Sequence, residues 1–188
     1  MAQGLSTSLT LQEFLKQPET KPACEYIEGQ VFQKPRPKGK HSLLQTQLTT
    51  TINAALMDRK HALALSELRC SFGRRSIVPD ITVFEWSNLP YDDRGEIANA
   101  FELAPDWTIE ILSPEQSQTR VMKNIWHCLQ HGTQMGWLID PEEQSVLVFL
   151  PPDQFKIIDV KDEILPTPDF AADVRLTSDE LFGWLLMR

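Results

Sequence analysis

The sequence predicts an α/β (α+β) fold, a mixed central β-sheet flanked by helices. Three observations predict it. Short apolar runs rich in β-formers recur along the chain: Ile81-Thr82-Val83-Phe84, Trp107-Thr108-Ile109-Glu110-Ile111-Leu112, Trp137-Leu138-Ile139-Asp140 and Val146-Leu147-Val148-Phe149. Two longer segments, about 42–59 and 117–131, carry apolar residues at helical spacing. Between Thr108 and Ile139 the pattern reads strand, helix, strand, which requires two parallel strands joined by a right-handed crossover.

Each element has a local cause. Thr10-Leu11-Gln12-Glu13 is a capping box and predicts a short helix over about 10–16, ended near Pro18. Cys24 to Phe32 places β-formers on both sides of Glu28-Gly29 and predicts a hairpin. Glu25 and Glu28 should fall on opposite faces, because side chains alternate along a strand. Leu44, Leu48, Ile52, Ala55 and Leu56 form the buried stripe of the helix that Ser42 can cap, and 63–68 follows as a strand. Glu85 to Ala104 is polar and turn-rich, an excursion over the surface. In the helix over 117–131, Val121, Ile125, Cys128 and Leu129 face inward. A wheel at about 100° per residue sets Arg120, Lys123, His127 and His131 opposite them, with Asn124 near the boundary. Val146–Phe149 and Phe155–Ile158 form a hairpin, and Thr177-Ser178-Asp179-Glu180 caps a terminal helix.

Bulk properties narrow the function classes. The 188 residues suit a single domain over 1–188, with 41% hydrophobic and 23% charged residues. No apolar run reaches the ~18 residues of a membrane span, and Met1 to Ser6 has no leader-like pattern, so a cytoplasmic location is expected. Cys24, Cys70 and Cys128 are widely spaced and suggest neither a disulfide framework nor a zinc site. The formal net charge of -8 argues against nonspecific coating of nucleic acid, although local basic clusters can still meet phosphate.

The chemistry centres on Ile77 to Pro114, where two apolar β-rich runs each carry one acid, Asp80 and Glu110. A desolvated carboxylate is costly unless it is paired or holds a metal. One reading is a shared divalent cation: Mg²⁺ is commonly held by one or two carboxylates with waters and substrate phosphate, and the Ile111 carbonyl could add a ligand. The other is structural, with Asp80 capping a turn after Pro79 and Glu110 paired with Arg74 or Arg75. Spacing alone leaves both open. Lys34-Pro35-Arg36-Pro37-Lys38-Gly39-Lys40-His41 is a solvated loop or a basic loop meeting a polyanion, and Arg69, Arg74 and Arg75 form a second basic cluster. The histidines match no HExxH-like metal spacing, and His127 with His131 reads as a solvated helix face. Neither a GxSxG motif nor a nucleotide-binding glycine pattern is present.

Val78-Pro79-Asp80-Ile81-Thr82-Val83 and Trp107 to Pro114 resemble the two signature strands of the Uma-two family, classed with restriction endonucleases of the PD-(D/E)xK nuclease superfamily. Cys24 to Gly29 is similar to that family's "YELIDG" element, His41 stands where the family often carries a His, and His131 to Pro141 resembles its "AGV-x-x-YWLVDP" element. The resemblance spans about residues 10–185. It implies a restriction-endonuclease-like core and an Mg²⁺- or Mn²⁺-dependent DNA endonuclease, with Asp80 and Glu110 as metal carboxylates and Glu25 as an additional acid. Lys34, Arg36, Lys38, Lys40, His41, Arg74 and Arg75 would then meet double-stranded DNA, and a homodimer is expected by class. One departure is specific: the superfamily lysine would stand two residues after the glutamate, where this chain has Leu112. The family's usual basic position on the following helix falls on Asn124, with Lys123 one residue away, or Arg120 or Gln118 near the helix start, as the substitute. The alternatives are a catalytically impaired nuclease-fold module that binds nucleic acid or protein, and a structural homodimer with an unrelated ligand.

Overall fold

Two sheets, rather than one, organise the chain. The structure is a computed structural model that describes residues 9–114 and 116–186; the Met1 to Ser6 stretch read above lies outside them. Strands β1 (Cys24–Ile27), β2 (Gln30–Gln33), β4 (Cys70–Phe72) and β5 (Arg75–Ile77) form a small antiparallel sheet in the order β2-β1-β5-β4. Strands β3 (Ala62–Ser66), β6 (Ile81–Glu85), β7 (Trp107–Ile111), β8 (Met135–Asp140), β9 (Ser145–Leu150) and β10 (Gln154–Ile158) form the large sheet in the order β10-β9-β8-β7-β6-β3. The large sheet is mixed as expected: β7 and β8 are parallel and the other pairs antiparallel. The small sheet was not anticipated.

Helices α1 (Leu11–Leu15), α2 (Gly39–Leu56), α3 (Gln118–Leu129) and α4 (Ser178–Gly183) flank the strands. Both expected capping boxes are formed, at Thr10 with Glu13 and at Thr177 with Glu180. Helix α2 begins and ends three residues earlier than the spacing suggested. Its stripe of Leu44, Leu48, Ile52 and Leu56 packs on Ile109, Ile111, Trp137 and Ile139 in the main core. Helix α3 covers the other face through Val121, Ile125 and Leu129, against Leu138 and Phe149. Ile109 and Ile111 therefore lie on the α2 side of β7, which follows from their alternation with Thr108 and Glu110.

The outward wheel position given to His127 is corrected: its ring is buried. Phe72, at the end of β4, stacks on it at 4.9 Å between ring centroids, and its Nε2 lies 3.2 Å from the Phe72 carbonyl oxygen. The small sheet covers a helix face that a single-sheet picture leaves to solvent. Gly73, in the turn after Phe72, has φ +54°, and a Cβ there would fall 2.2 Å from His131 Nε2.

Helix α3 sits close to the sheet at Gly136. A Cβ on Gly136 would lie 2.3 Å from Ile125 Cγ2 and 3.4 Å from Thr108 Cγ2. Gly136→Ala should push α3 outward and cost about 1–3 kcal/mol, as overpacking does elsewhere. Urea denaturation of the two proteins measures this; equal midpoints would show that α3 adjusts freely.

Candidate active site

The site forms where the chain passes from the small sheet to the large one. Strand β5 ends at Ile77, Val78-Pro79-Asp80 crosses over, and β6 starts at Ile81. Strands β6 and β7 pair antiparallel with Ile81 opposite Ile109. Carrying that register one step outward sets Asp80 across from Glu110, and cross-strand partners share a face. The 30-residue separation is closed by the surface excursion between the strands.

Asp80 and Glu110 are each 2% exposed. The Lys34 ammonium lies between them, 2.7 Å from Asp80 Oδ1 and 3.4 Å from Glu110 Oε2, and donates to the Val78 carbonyl at 2.7 Å. The other oxygen of Asp80, Oδ2, accepts the Ile111 N–H at 2.7 Å and lies 3.0 Å from His41 Nε2. Gln45, one turn along α2 from His41, donates to the Asp80 carbonyl at 2.8 Å. Glu25 reaches in from β1: Oε1 accepts the Val78 N–H at 3.0 Å, and Oε2 accepts from the Asn124 amide at 3.0 Å. Glu28 lies in the turn after β1 at φ +52° and points away to an ion pair with Arg75, so the two glutamates diverge, set apart by the turn rather than by strand alternation.

The electrostatics follow from this packing. Burial alone would raise the Asp80 carboxyl, but the Lys34 charge and the His41 hydrogen bond outweigh it and hold Asp80 below the usual range. Glu110 goes the other way: burial, with the Asp80 and Glu25 charges adding to it, raises its carboxyl well above the usual range despite Lys34. Lys34 is raised, because the charges of Asp80, Glu110 and Glu25 exceed its own burial penalty.

The predicted site residues divide clearly. Asp80, Glu110, Glu25, His41 and Ile111 come together. Lys34, expected on a DNA-facing loop, is instead inside the acid cluster, with its side chain 13% exposed. Lys123 is exposed on the outer side of α3 and lines a separate cleft of about 900 Å³ with Arg75, Trp126 and His127. Asn124 touches the site, but as a partner of Glu25. The structural alternative for Glu110 also changes, since its cation is Lys34 while Arg75 holds Glu28. Arg36 lines the cleft of about 540 Å³ that opens onto Asp80, His41 and Lys34. Lys38 and Arg74 are exposed, as is Lys40, which pairs with Glu142. Thus the two basic clusters do not line one cleft.

The donor set suits a hard cation: two buried carboxylates, of which Asp80 lines an open cleft where waters and a phosphate could complete the shell. Among the described residues no group of three or more His, Cys, Asp or Glu forms a metal-binding cluster. Glu25 is committed to the Val78 N–H and to Asn124.

Beside the site, burial lowers the His127 imidazole from 6.5 to about 4, aided by the Arg75 and His131 charges and opposed by the bond to the Phe72 carbonyl. A group whose folded pKa is lowered this way leaves the unfolded chain to bind the extra proton. Its contribution is complete above about pH 6.5 and is lost as pH falls toward about 4. His127→Phe should remove part of the acid-side loss of stability in that window, as read from urea midpoints at several pH values. An unchanged slope would mean that the ring does not titrate on unfolding.

Comparison with known proteins bears on the family and the fold. The profile of the Uma2 family, described as "Putative restriction endonuclease", matches residues 11–179. A crystal structure of a putative nuclease of the DUF820 group from Anabaena variabilis superposes with a TM-score of 0.94 at 57% identity, covering 95% of this chain and 99% of that one. A search of curated proteins finds no match. With the family profile covering most of its length and a close structural relative sharing its fold, this chain belongs to the Uma2 family of restriction-endonuclease-like proteins.

Proposed function

We propose that this chain is a divalent-metal-dependent endonuclease that hydrolyses phosphodiester bonds in double-stranded DNA. The observation that carries the reading is the meeting of Asp80 and Glu110 on adjacent strands beside an open cleft, both buried and both within 3.4 Å of one cationic group. Family membership supports nuclease chemistry in general.

Asp80 and Glu110, with the Ile111 carbonyl, would hold Mg²⁺ or Mn²⁺, which supplies Lewis-acid polarisation of a phosphate oxygen and a more acidic water. In hydrolysis the water oxygen bonds to phosphorus as one ester P–O bond breaks. One proton leaves the water and one is taken up by the departing oxygen. The chain's own residues orient this chemistry. His41 and the Ile111 N–H fix the Asp80 carboxylate. Glu25 and Gln45 fix the backbone on either side of it, so the acid is held by both sheets and by α2. Arg36 lies on the cleft wall, where a DNA backbone would pass. Lys38, Lys40 and Arg74 are exposed cations for more distant phosphates. The reading includes one domain acting in the cytoplasm as a homodimer. The exposed Phe155 and Ile157 on β10, an edge strand of the large sheet, are apolar residues that pairing could cover.

Plasmid cleavage with Mg²⁺ or Mn²⁺ tests the proposal. Asp80→Ala and Glu110→Gln should each slow cleavage by about 100-fold or more, in line with loss of a charge-stabilising group. Cleavage that survives Asp80→Ala removes the assignment. The raised Glu110 carboxyl adds a pH signature. It must ionise to bind metal, so Mn²⁺ affinity should rise with pH and binding should release a proton. Calorimetry in buffers of different ionisation enthalpy measures the proton; no release would show that Glu110 is already ionised when the metal binds and contradicts the pH signature.

A further inference from the structure

We infer that Lys34 is the catalytic lysine of this site, delivered from the end of β2 in place of the residue missing at Leu112. This rests on the nuclease reading above and deepens it. Leu112 cannot serve: it packs in the apolar cluster under α3. Asn124 cannot serve either, since its amide carries no charge and is held by Glu25. Lys123 lines a different cleft. Among the described residues, Lys34 is the cation whose ammonium reaches both Asp80 and Glu110, and it lines the cleft that opens onto Asp80.

Local structure fixes this placement. The Lys34 N–H donates to the Ala23 carbonyl at 2.9 Å, extending the β1–β2 ladder one step beyond the Cys24–Gln33 pair. Pro35 follows, and a residue before proline is restricted to extended backbone. The side chain is therefore launched from a set position on the small sheet toward acids on the large one. The Val78 peptide ties the two together, giving its N–H to Glu25 and accepting from Lys34 at its carbonyl.

The ammonium exchanges no proton in this role. It places a fixed positive charge beside the phosphate, where negative charge builds on the phosphoryl oxygens as water adds, and a preorganised donor of this kind acts strongly in a site sheltered from water. Asp80 and Glu110 would hold the divalent ion, which would share the pairing that Lys34 now provides, and the Lys34 side chain already lines the cleft where a phosphate would lie.

The experiment combines cleavage with Mn²⁺ binding by electron paramagnetic resonance, on folded proteins checked by circular dichroism. Lys34→Met should bind Mn²⁺ at least as tightly as wild type, because a competing cation is gone, yet cleave about 100-fold more slowly or worse. Asn124→Lys added to Lys34→Met returns a positive charge to the cluster from α3, since position 124 already contacts Glu25. The double variant should recover at least about tenfold of the lost rate, a typical fraction of such a charge's effect. It also covers the case in which Lys34→Met alone does not fold. Lys34→Met cleaving within about twofold of wild type, a margin far below the expected loss, overturns the inference while the nuclease reading stands. Loss of Mn²⁺ binding in Lys34→Met also overturns it, by showing that the lysine only builds the site. Failure of the nuclease reading itself looks different: wild-type protein that cleaves no DNA with either metal.

Discussion

Everything at this site depends on how two carboxylates are kept inside a folded core. An uncompensated buried carboxylate costs several kcal/mol, and Asp80 and Glu110 are neighbours that repel each other. The chain offsets this with one ammonium, one imidazole and one backbone N–H, all aimed at Asp80. Among the described residues Glu110 receives less, the longer contact to Lys34, and burial with the Asp80 and Glu25 charges raises its carboxyl. One acid is held charged and the other is held reluctant to ionise. That imbalance is poor economy for a structural ion pair, and it is the arrangement from which a divalent cation would gain most.

The two-sheet architecture exists around this point. The large sheet supplies both acids through the β6–β7 register. The small sheet supplies Glu25 and Lys34 from adjacent strands of one hairpin. Val78-Pro79-Asp80 is the crossing from β5 to β6, and Val78 is hydrogen-bonded by Glu25 at its N–H and by Lys34 at its carbonyl. Helix α2 adds His41 and Gln45 from its first turns, while α3 adds Asn124. Moving any one of these elements changes the pairing of a buried charge, so packing and site geometry are coupled through Gly136, where α3 meets the sheet.

Much of this was legible in the residues. The buried acids, their flanking β-formers and the parallel β7–β8 unit each follow from local pattern, and the Glu28-Gly29 turn was expected where it stands. The resemblance across the chain brought Glu25 and His41 to Asp80. Two things were not legible. Lys34 lies 46 residues from Asp80 and 76 from Glu110 in sequence, within a run of cations that reads as a solvated loop. The available signal was its position: directly after a strand paired with the one carrying Glu25, and directly before a proline. His127 was placed in solvent because a helical wheel knows one buried face, whereas α3 is covered by a second sheet that composition does not announce. Lys123 was favoured over Lys34 for the same reason, since adjacency on a helix is visible in sequence and approach across two sheets is not.

The strand lysine is absent from this site, and another cation stands between the acids. Metal-dependent cleavage here requires that Asp80 and Glu110 hold one divalent ion. The most direct measurement is anomalous diffraction from crystals of the protein equilibrated with Mn²⁺. The account predicts one strong anomalous peak bridging the Asp80 and Glu110 carboxylates, with the Lys34 ammonium displaced toward the cleft. A saturated crystal with Lys34 still seated between the two acids and no peak there would contradict it.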